Sequence, residues 1–191
     1  MIELPKIILA SASPRRAEIL RTVGWPFETL PVDIDESRQP DEDAVAYVTR
    51  LAREKAQAAA AQAHHFTIVA ADTTVVIDDH ILEKPLDHED AKRMLWLLNN
   101  RWHQVLTGVA LFDVTTSAIK IAHENTEVKF AAMSDEEIDW YASTGEPLDK
   151  AGAYAIQGLG SRFIDEIRGD YFNVVGLPVR LLYDLVKQHV Q

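Results

Sequence analysis

The 191-residue chain contains no cysteine, and this absence removes several kinds of site. Without thiols there is no disulfide framework, thiolate zinc site, iron–sulfur cluster or cysteine nucleophile. Glycine and proline are also scarce, at eight residues each, which is too few for a low-complexity chain. The fold must therefore rest on a hydrophobic core, and the length suits one substantial domain or two closely packed lobes.

Long apolar runs are absent as well. None approaches the roughly 18–20 residues that span a bilayer. The early apolar stretch at residues 7–10 is too short for the core of a signal peptide. We therefore expect a cytoplasmic protein with no membrane partner.

Basic residues are in deficit. Residues 1–100 carry 11 Lys and Arg against 17 Asp and Glu, residues 101–191 carry 8 against 13, and the net charge is −11. An evenly acidic chain is poorly suited to a nucleic-acid polymer, because such binding depends mainly on neutralised phosphates. A short anion can still bind where a few cations are focused or a metal bridges it.

The pattern of elements predicts an α/β fold with a mixed sheet, flanking helices and two lobes around a cleft. Strands are predicted at residues 6–10, 27–32 and 67–71, the last running into residues 72–77, and helices are predicted at 14–24, 42–63 and 87–98. Residues 101–131 alternate as antiparallel strands, a capping box at 134–137 opens a short helix, Gly- and aromatic-rich strands follow to about 175, and Pro178 starts a last helix.

The first strand–helix junction, Ser11-Ala-Ser-Pro-Arg-Arg16, is the most informative stretch. Free N–H groups at the helix N-terminus and the positive end of its dipole favour a phosphate. Arg15 and Arg16 add planar donors that match phosphate oxygens. The alternative interpretation is that Ser13 only caps the helix and both arginines are solvated.

Asp72 follows the apolar run at residues 68–71, which predicts a carboxylate at the carboxyl end of a buried strand. A carboxylate there is well placed to hold Mg²⁺ or to deprotonate water. The alternative is an ordinary turn aspartate bonded to nearby backbone.

Glu36, with Asp33 and Asp35, forms an acidic cluster that could build a hard-metal site or simply be a solvated loop. The same segment resembles the Asp-x-Asp nucleophile loop of haloacid-dehalogenase-type phosphatases, with Asp33 as the nucleophile. Those enzymes usually have Thr or Val where Ser37 stands, and no convincing later Lys and Asp-pair motifs are found.

Three further polar side chains are candidates for ligand contacts. Lys55 and Lys84 could neutralise phosphate charge or be surface lysines. Gln157, in Gln157-Gly-Leu-Gly160, could read a base edge, because its amide supplies both a donor and an acceptor.

With these residues in place, the chain resembles the Maf family of nucleoside triphosphate pyrophosphatases. The matching blocks stand in order at residues 9–16, 50–55, 71–73, 82–85, 145–152, 156–158 and 175–178. Single blocks are weak, but the ordered set is specific and covers essentially the whole chain. Residues 1–191 are therefore identified as a single Maf-like domain.

The resemblance implies a fold similar to inosine triphosphate pyrophosphatases, with two lobes around a central cleft and often a homodimer. It implies cleavage of a nucleoside triphosphate between the α- and β-phosphates, with a divalent metal (Mg²⁺, Mn²⁺ or Co²⁺). Asp72 matches the proton acceptor, and Glu36 and Asp72 are expected to hold the metal. The other matched active-site positions are Lys55 and Lys84, with Ser11, Ser13, Arg15 and Arg16 in the phosphate-binding loop.

Within the family, the branch acting on dTTP and UTP carries Arg, Thr and Gln, matched here by Arg16, Thr73 and Gln157. The blocks of the 7-methyl-GTP branch are not present. One departure is Ala12, where the pyrimidine branch often has Gly. Two other functions stay open: a non-catalytic regulator that binds nucleotide or a division protein, and a phosphomonoesterase that uses Asp33.

Overall fold

In a computed structural model, which describes residues 4–63 and 66–190, one mixed sheet carries the fold. The strands are β1 (Ile7–Leu9), β2 (Phe27–Thr29), β3 (Thr67–Ile77), β4 (His80–Leu82), β5 (Trp102–Asp113), β6 (Ile119–Phe130) and β7 (Ile164–Arg168). The helices are α1 (Pro14–Thr22), α2 (Ala44–Ala60), α3 (His88–Leu98), α4 (Asp135–Ser143), α5 (Tyr171–Val175) and α6 (Val179–Val190).

The sheet combines parallel and antiparallel pairs. Its order is β2-β1-β3-β5-β6-β7, and β4 pairs with β3. β1 lies parallel to both β2 and β3, whereas β4 is antiparallel to β3 and β7 is antiparallel to β6. The predicted α/β class, mixed sheet and flanking helices are thus confirmed.

Small side chains let α2 lie close against the sheet. Ala52, Ala56 and Ala59 are fully buried and pack with Ile68 in one apolar cluster. At Gly108 in β5, an added Cβ would stand 2.3 Å from the carbonyl oxygen of Val48, so only glycine fits there. This close approach fixes the depth of α2, the helix that carries Lys55.

The chain divides into two compact units. The first runs up to Asp72 and adds Thr107–Glu124 and the chain from Gly176 onward. The second consists of Thr73–Leu106 and Asn125–Val175, and its core includes Leu95, Leu98 and Phe130. Among the described residues, no helix is both long and apolar enough to cross a membrane.

The prediction of strands between α4 and residue 175 is largely wrong. Three 3₁₀ helices at Glu146–Asp149, Ala151–Ala153 and Gly158–Phe163 precede the short β7 and α5. Gly145, Gly152 and Gly158 have positive φ there, which interrupts an extended backbone. The N–H groups of Leu159 and Gly160 donate to the Glu146 carboxylate rather than to a neighbouring strand.

Candidate active site

The junction between β1 and α1 is organised by Ser11. Its buried hydroxyl accepts hydrogen bonds from the Ser13 N–H at 3.2 Å and from a terminal guanidinium nitrogen of Arg16 at 3.1 Å. Ser13 stands at the N-cap position, but its side chain makes no capping bond. Arg16 Nε donates to the Gly176 carbonyl oxygen at 2.8 Å. The interpretation of a capping Ser13 with solvated arginines is therefore wrong for Ser13 and for Arg16.

The Arg16 guanidinium is held in a fixed orientation inside the first unit. Burial lowers its pKa, the negative charge of Asp72 acts in the opposite direction, and the neighbouring Arg15 lowers it further. Arginine remains protonated in proteins despite such shifts. This junction therefore carries a permanent positive charge that is electrostatically coupled to Asp72.

Lys55 connects α2 to both carboxylates that were predicted for the site. Its ammonium nitrogen lies 2.6 Å from Oδ1 of Asp72 and 2.7 Å from Oε1 of Glu36. Lys55 and Asp72 are each only 8% exposed, whereas about half of the Glu36 side chain is exposed. Two carboxylates, one 19 positions before Lys55 and one 17 positions after it, thus meet at the Lys55 nitrogen.

Asp72 does not end its strand, contrary to the prediction. It is the sixth of eleven residues in β3, which continues to Ile77. The β-branched residues that follow favour extended backbone, and Val75 to Ile77 pair with β4. The registered parallel pairing with β1 ends earlier, at Val69, so Asp72 lies beyond the parallel part of the strand.

Burial dominates the electrostatics of Asp72. It raises the pKa of the carboxyl group, while the positive charges of Lys55 and Arg16 oppose that rise and Glu36 adds to it. A carboxylate with a raised pKa is a stronger base than an exposed one. The position therefore suits proton abstraction from water, the second of the two roles predicted for Asp72.

The acidic segment after β2 contributes one carboxylate to this cluster rather than three. Glu36 reaches Lys55, whereas Asp35 accepts a hydrogen bond from the Ser37 N–H at 2.9 Å. Asp33 is exposed and lies past the end of β2. Throughout residues 4–63 and 66–190, no group of three or more His, Asp or Glu side chains is arranged to hold a metal ion.

Two residues of α2 that the sequence analysis missed hold the Glu36 segment. The Tyr47 hydroxyl donates to the Glu36 carbonyl oxygen at 3.0 Å, and Arg50 donates to the Ser37 carbonyl oxygen at 3.0 Å. Arg50 also binds both carboxylate oxygens of Glu42, at 2.7 and 2.9 Å. The available signal was the position of Arg50 at the head of the block that contains Lys55.

The two carboxylates fit a hard divalent cation whose coordination shell is completed by substrate oxygens. Mg²⁺ is usually bound through one or two carboxylates together with waters and substrate phosphates. Glu36 and Asp72 supply two such carboxylates, and an oxygen of each already approaches the same cationic nitrogen. The pair can therefore share one cation, although it is not a cage built from protein alone.

The remaining predicted residues belong to the second unit. Thr73 directly follows Asp72 in β3, Lys84 is exposed after β4, and Gln157 is exposed before the last 3₁₀ helix. The structure thus groups Ser11, Arg16, Glu36, Lys55 and Asp72 within the first unit. A shared site with Thr73, Lys84 and Gln157 stays a prediction.

In this α/β protein a buried lysine lies between two carboxylates, and an arginine in the first turn of α1 is electrostatically coupled to one of them. The family model described as Maf-like protein matches residues 6–189. The chain belongs to the Maf family.

Named relatives share nearly half of the residues. A dTTP/UTP pyrophosphatase of Koribacter versatilis is 48% identical over 95% of this chain and 93% of its own length. One from Anaeromyxobacter dehalogenans is 50% identical over 92% and 89%. In fold, the chain is similar to the Ham1 protein of Staphylococcus aureus, with a TM-score of 0.55 at 14% identity over 96% of this chain and 99% of that one.

Proposed function

We propose that this chain is a dTTP/UTP pyrophosphatase, which hydrolyses dTTP and UTP to the monophosphate and pyrophosphate. The observation that carries the proposal is the Lys55 ammonium placed between Asp72 and Glu36 in the unit that also holds Arg16. Relatives at 48–50% identity over nine-tenths of the chain bear that name.

The triphosphate is bound by positive charge that is already oriented. Arg16 is fixed by Ser11 and by the Gly176 carbonyl, and the positive end of the α1 dipole lies at the same junction. Arg15 and Ser13 complete this loop. Lys55 and, from the second unit, Lys84 offset charge on the phosphates. The protein then acts chiefly by positioning and by stabilising charge.

Asp72 supplies the base for the hydrolytic step. It orients a water molecule and takes a proton from it while the water oxygen forms a bond to the α-phosphorus. The anhydride P–O bond breaks, and its electron pair leaves with pyrophosphate. No covalent enzyme intermediate is formed. Glu36 and Asp72 together are the residues that would hold Mg²⁺, Mn²⁺ or Co²⁺, which when bound would neutralise charge on the phosphates.

Three residues are proposed to select a pyrimidine nucleotide: Arg16, Thr73 and Gln157. The Gln157 amide can donate to and accept from the edge of thymine or uracil. Gln157→Glu removes the donor and adds a negative charge, so the preference for dTTP over dGTP is expected to fall. An unchanged preference would show that Gln157 does not read the base.

The proposal extends to the setting of the enzyme. Residues 1–191 work as one Maf-like domain in the cytoplasm, and by resemblance to the family the proposal includes a homodimer. The substrate is a free nucleoside triphosphate rather than a nucleic-acid polymer or a membrane component, in keeping with the net charge of −11.

Product analysis tests the proposal. The full chain is incubated with dTTP, UTP, dGTP and GTP, each with Mg²⁺, Mn²⁺ or Co²⁺, and both pyrophosphate and orthophosphate are quantified. Pyrophosphate and monophosphate in equal amounts from dTTP and UTP are expected. Orthophosphate as the first product would favour the phosphomonoesterase, and nucleotide binding without turnover would favour the regulator.

A further inference from the structure

The Glu146 carboxylate is hydrogen-bonded to the backbone just after Gln157. Its two oxygens accept the N–H groups of Leu159 at 3.0 Å and Gly160 at 2.9 Å. Burial alone would raise the pKa of Glu146, but these two N–H groups and the Tyr141 hydroxyl bring it below its usual value. The carboxylate is therefore held in its charged, accepting form.

The Tyr141 hydroxyl is hydrogen-bonded to the backbone just before Gln157. Tyr141 is fully buried in α4, donates to Glu146 at 2.8 Å and accepts the Ala155 N–H at 3.1 Å. Ala155 and Leu159 each lie two residues from Gln157. One tyrosine–glutamate pair thus fixes the backbone before and after an exposed glutamine.

The two glycines after Gln157 allow the backbone to come close enough to Tyr141 and Glu146 for these hydrogen bonds. An added Cβ at Gly158 would stand 2.5 Å from a Glu146 carboxylate oxygen, and φ there is +80°. An added Cβ at Gly160 would stand 2.4 Å from the Tyr141 hydroxyl. The backbone approaches the pair so closely that a side chain at either position would force it away.

We infer that Glu146 and Tyr141 are positioning residues for nucleotide selection, which hold Gln157 in the orientation that reads a pyrimidine base. Residues 155–160, which we call the Gln157 segment, contain no regular strand pairing that could fix it instead. The inference rests on the proposed function, because it takes Gln157 to contact the base. It assigns selectivity rather than bond cleavage to the pair.

The test compares kcat/KM for dTTP and for dGTP in Glu146→Gln, Tyr141→Phe and Gln157→Ala, with pyrophosphate release as the signal. In Glu146→Gln one of the two acceptor oxygens becomes an NH₂ donor, which cannot accept the backbone N–H that it faces, and Tyr141→Phe keeps the ring but loses both hydroxyl bonds. Glu137→Gln is the matched control, since its carboxylate accepts the Ser134 N–H in the capping box at the start of α4 rather than an N–H of the Gln157 segment. The melting temperature of each variant is measured first, and all assays are run at a temperature at which every variant is folded.

The dTTP-to-dGTP ratio is expected to fall about threefold to tenfold in Glu146→Gln and in Tyr141→Phe, the range that one hydrogen bond supplies. Glu137→Gln should leave the ratio unchanged. Equal losses for both nucleotides would overturn the inference, because they would indicate a merely structural role. A ratio changed by Gln157→Ala alone would overturn it while leaving the proposed function intact. No pyrophosphate from the unmodified chain would remove both.

Discussion

The ammonium of Lys55 donates to Oδ1 of Asp72 across 2.6 Å, and both residues are buried. Removing one partner of such a pair leaves an uncompensated charge in a poorly solvated position, at a cost of about 3–5 kcal/mol. The intact pair contributes little net stability, because both charges lose their hydration. Its value is better understood in terms of the chemistry proposed for Asp72.

Lys55→Gln tests how Lys55 tunes that carboxylate. The positive charge of Lys55 opposes the burial that raises the pKa of Asp72, so its removal should raise this pKa further. Asp72 acts as a base only when deprotonated, and the acid limb of the kcat/KM profile should therefore move to higher pH. Lys92→Gln, which alters a lysine paired with Glu89 and Asp139 on the surface, is the control. An acid limb that stays in place would show that Asp72 does not govern it.

Arg50 and Tyr47 should control the position of the Glu36 carboxylate, because they bond the backbone that carries it. Arg50→Lys removes the paired bonds to Glu42, and Tyr47→Phe removes the bond to the Glu36 carbonyl oxygen. Each change loosens the segment that carries a proposed metal-holding carboxylate. The Mg²⁺ concentration for half-maximal activity should rise about threefold to tenfold.

The control for this experiment is Arg93→Lys, which alters an exposed arginine paired with Asp90 at the start of α3. Its half-maximal Mg²⁺ concentration should match that of the unmodified enzyme. If all three variants showed the same Mg²⁺ dependence, Arg50 and Tyr47 would have no part in presenting Glu36.

His103 should make the second unit sensitive to acid. It is buried, lies 2.8 Å from the Tyr154 hydroxyl through Nε2, and burial lowers its pKa to about 3. The unfolded chain, with an ordinary histidine pKa near 6.5, binds the proton more readily. The histidine's contribution is thus complete above pH 6.5 and is lost as pH falls toward 3, by up to about 1.4 kcal/mol per pH unit.

Urea unfolding between pH 7 and pH 4.5 measures this loss. His103→Gln keeps a polar group near Tyr154 but does not titrate, so its free energy of unfolding should fall less steeply with acid than that of the unmodified chain. Parallel slopes for the two proteins would mean that His103 is not the group responsible.

Local signals in the sequence predicted much of the fold. The capping box at Ser134 and Glu137 is formed, and the helix predicted at 87–98 is present as α3, with Ala91, Leu95 and Leu98 buried. The segment after Gly145 was mispredicted because its conformation depends on bonds from Glu146 to residues 13 and 14 positions later. Such distant bonds leave no periodicity in the sequence.

The site was predicted by residue type and family resemblance rather than by geometry. Asp72, Glu36 and Lys55 were each candidates, but their meeting at one nitrogen depends on the register of β3 and on the depth of α2. Arg50 and Tyr47 were missed because their role is to hold backbone carbonyl groups, which any sequence supplies. The close packing at Gly108 likewise became visible only in three dimensions.

Turnover of dTTP by Asp72→Asn tests the central claim most directly. Asparagine keeps the size of the side chain but cannot accept a proton from water, so the rate of pyrophosphate release should fall by about 10²–10⁴. Asp78→Asn, at an exposed hairpin turn, should keep the unmodified rate. A folded Asp72→Asn enzyme that releases pyrophosphate as fast as the unmodified chain would contradict the account.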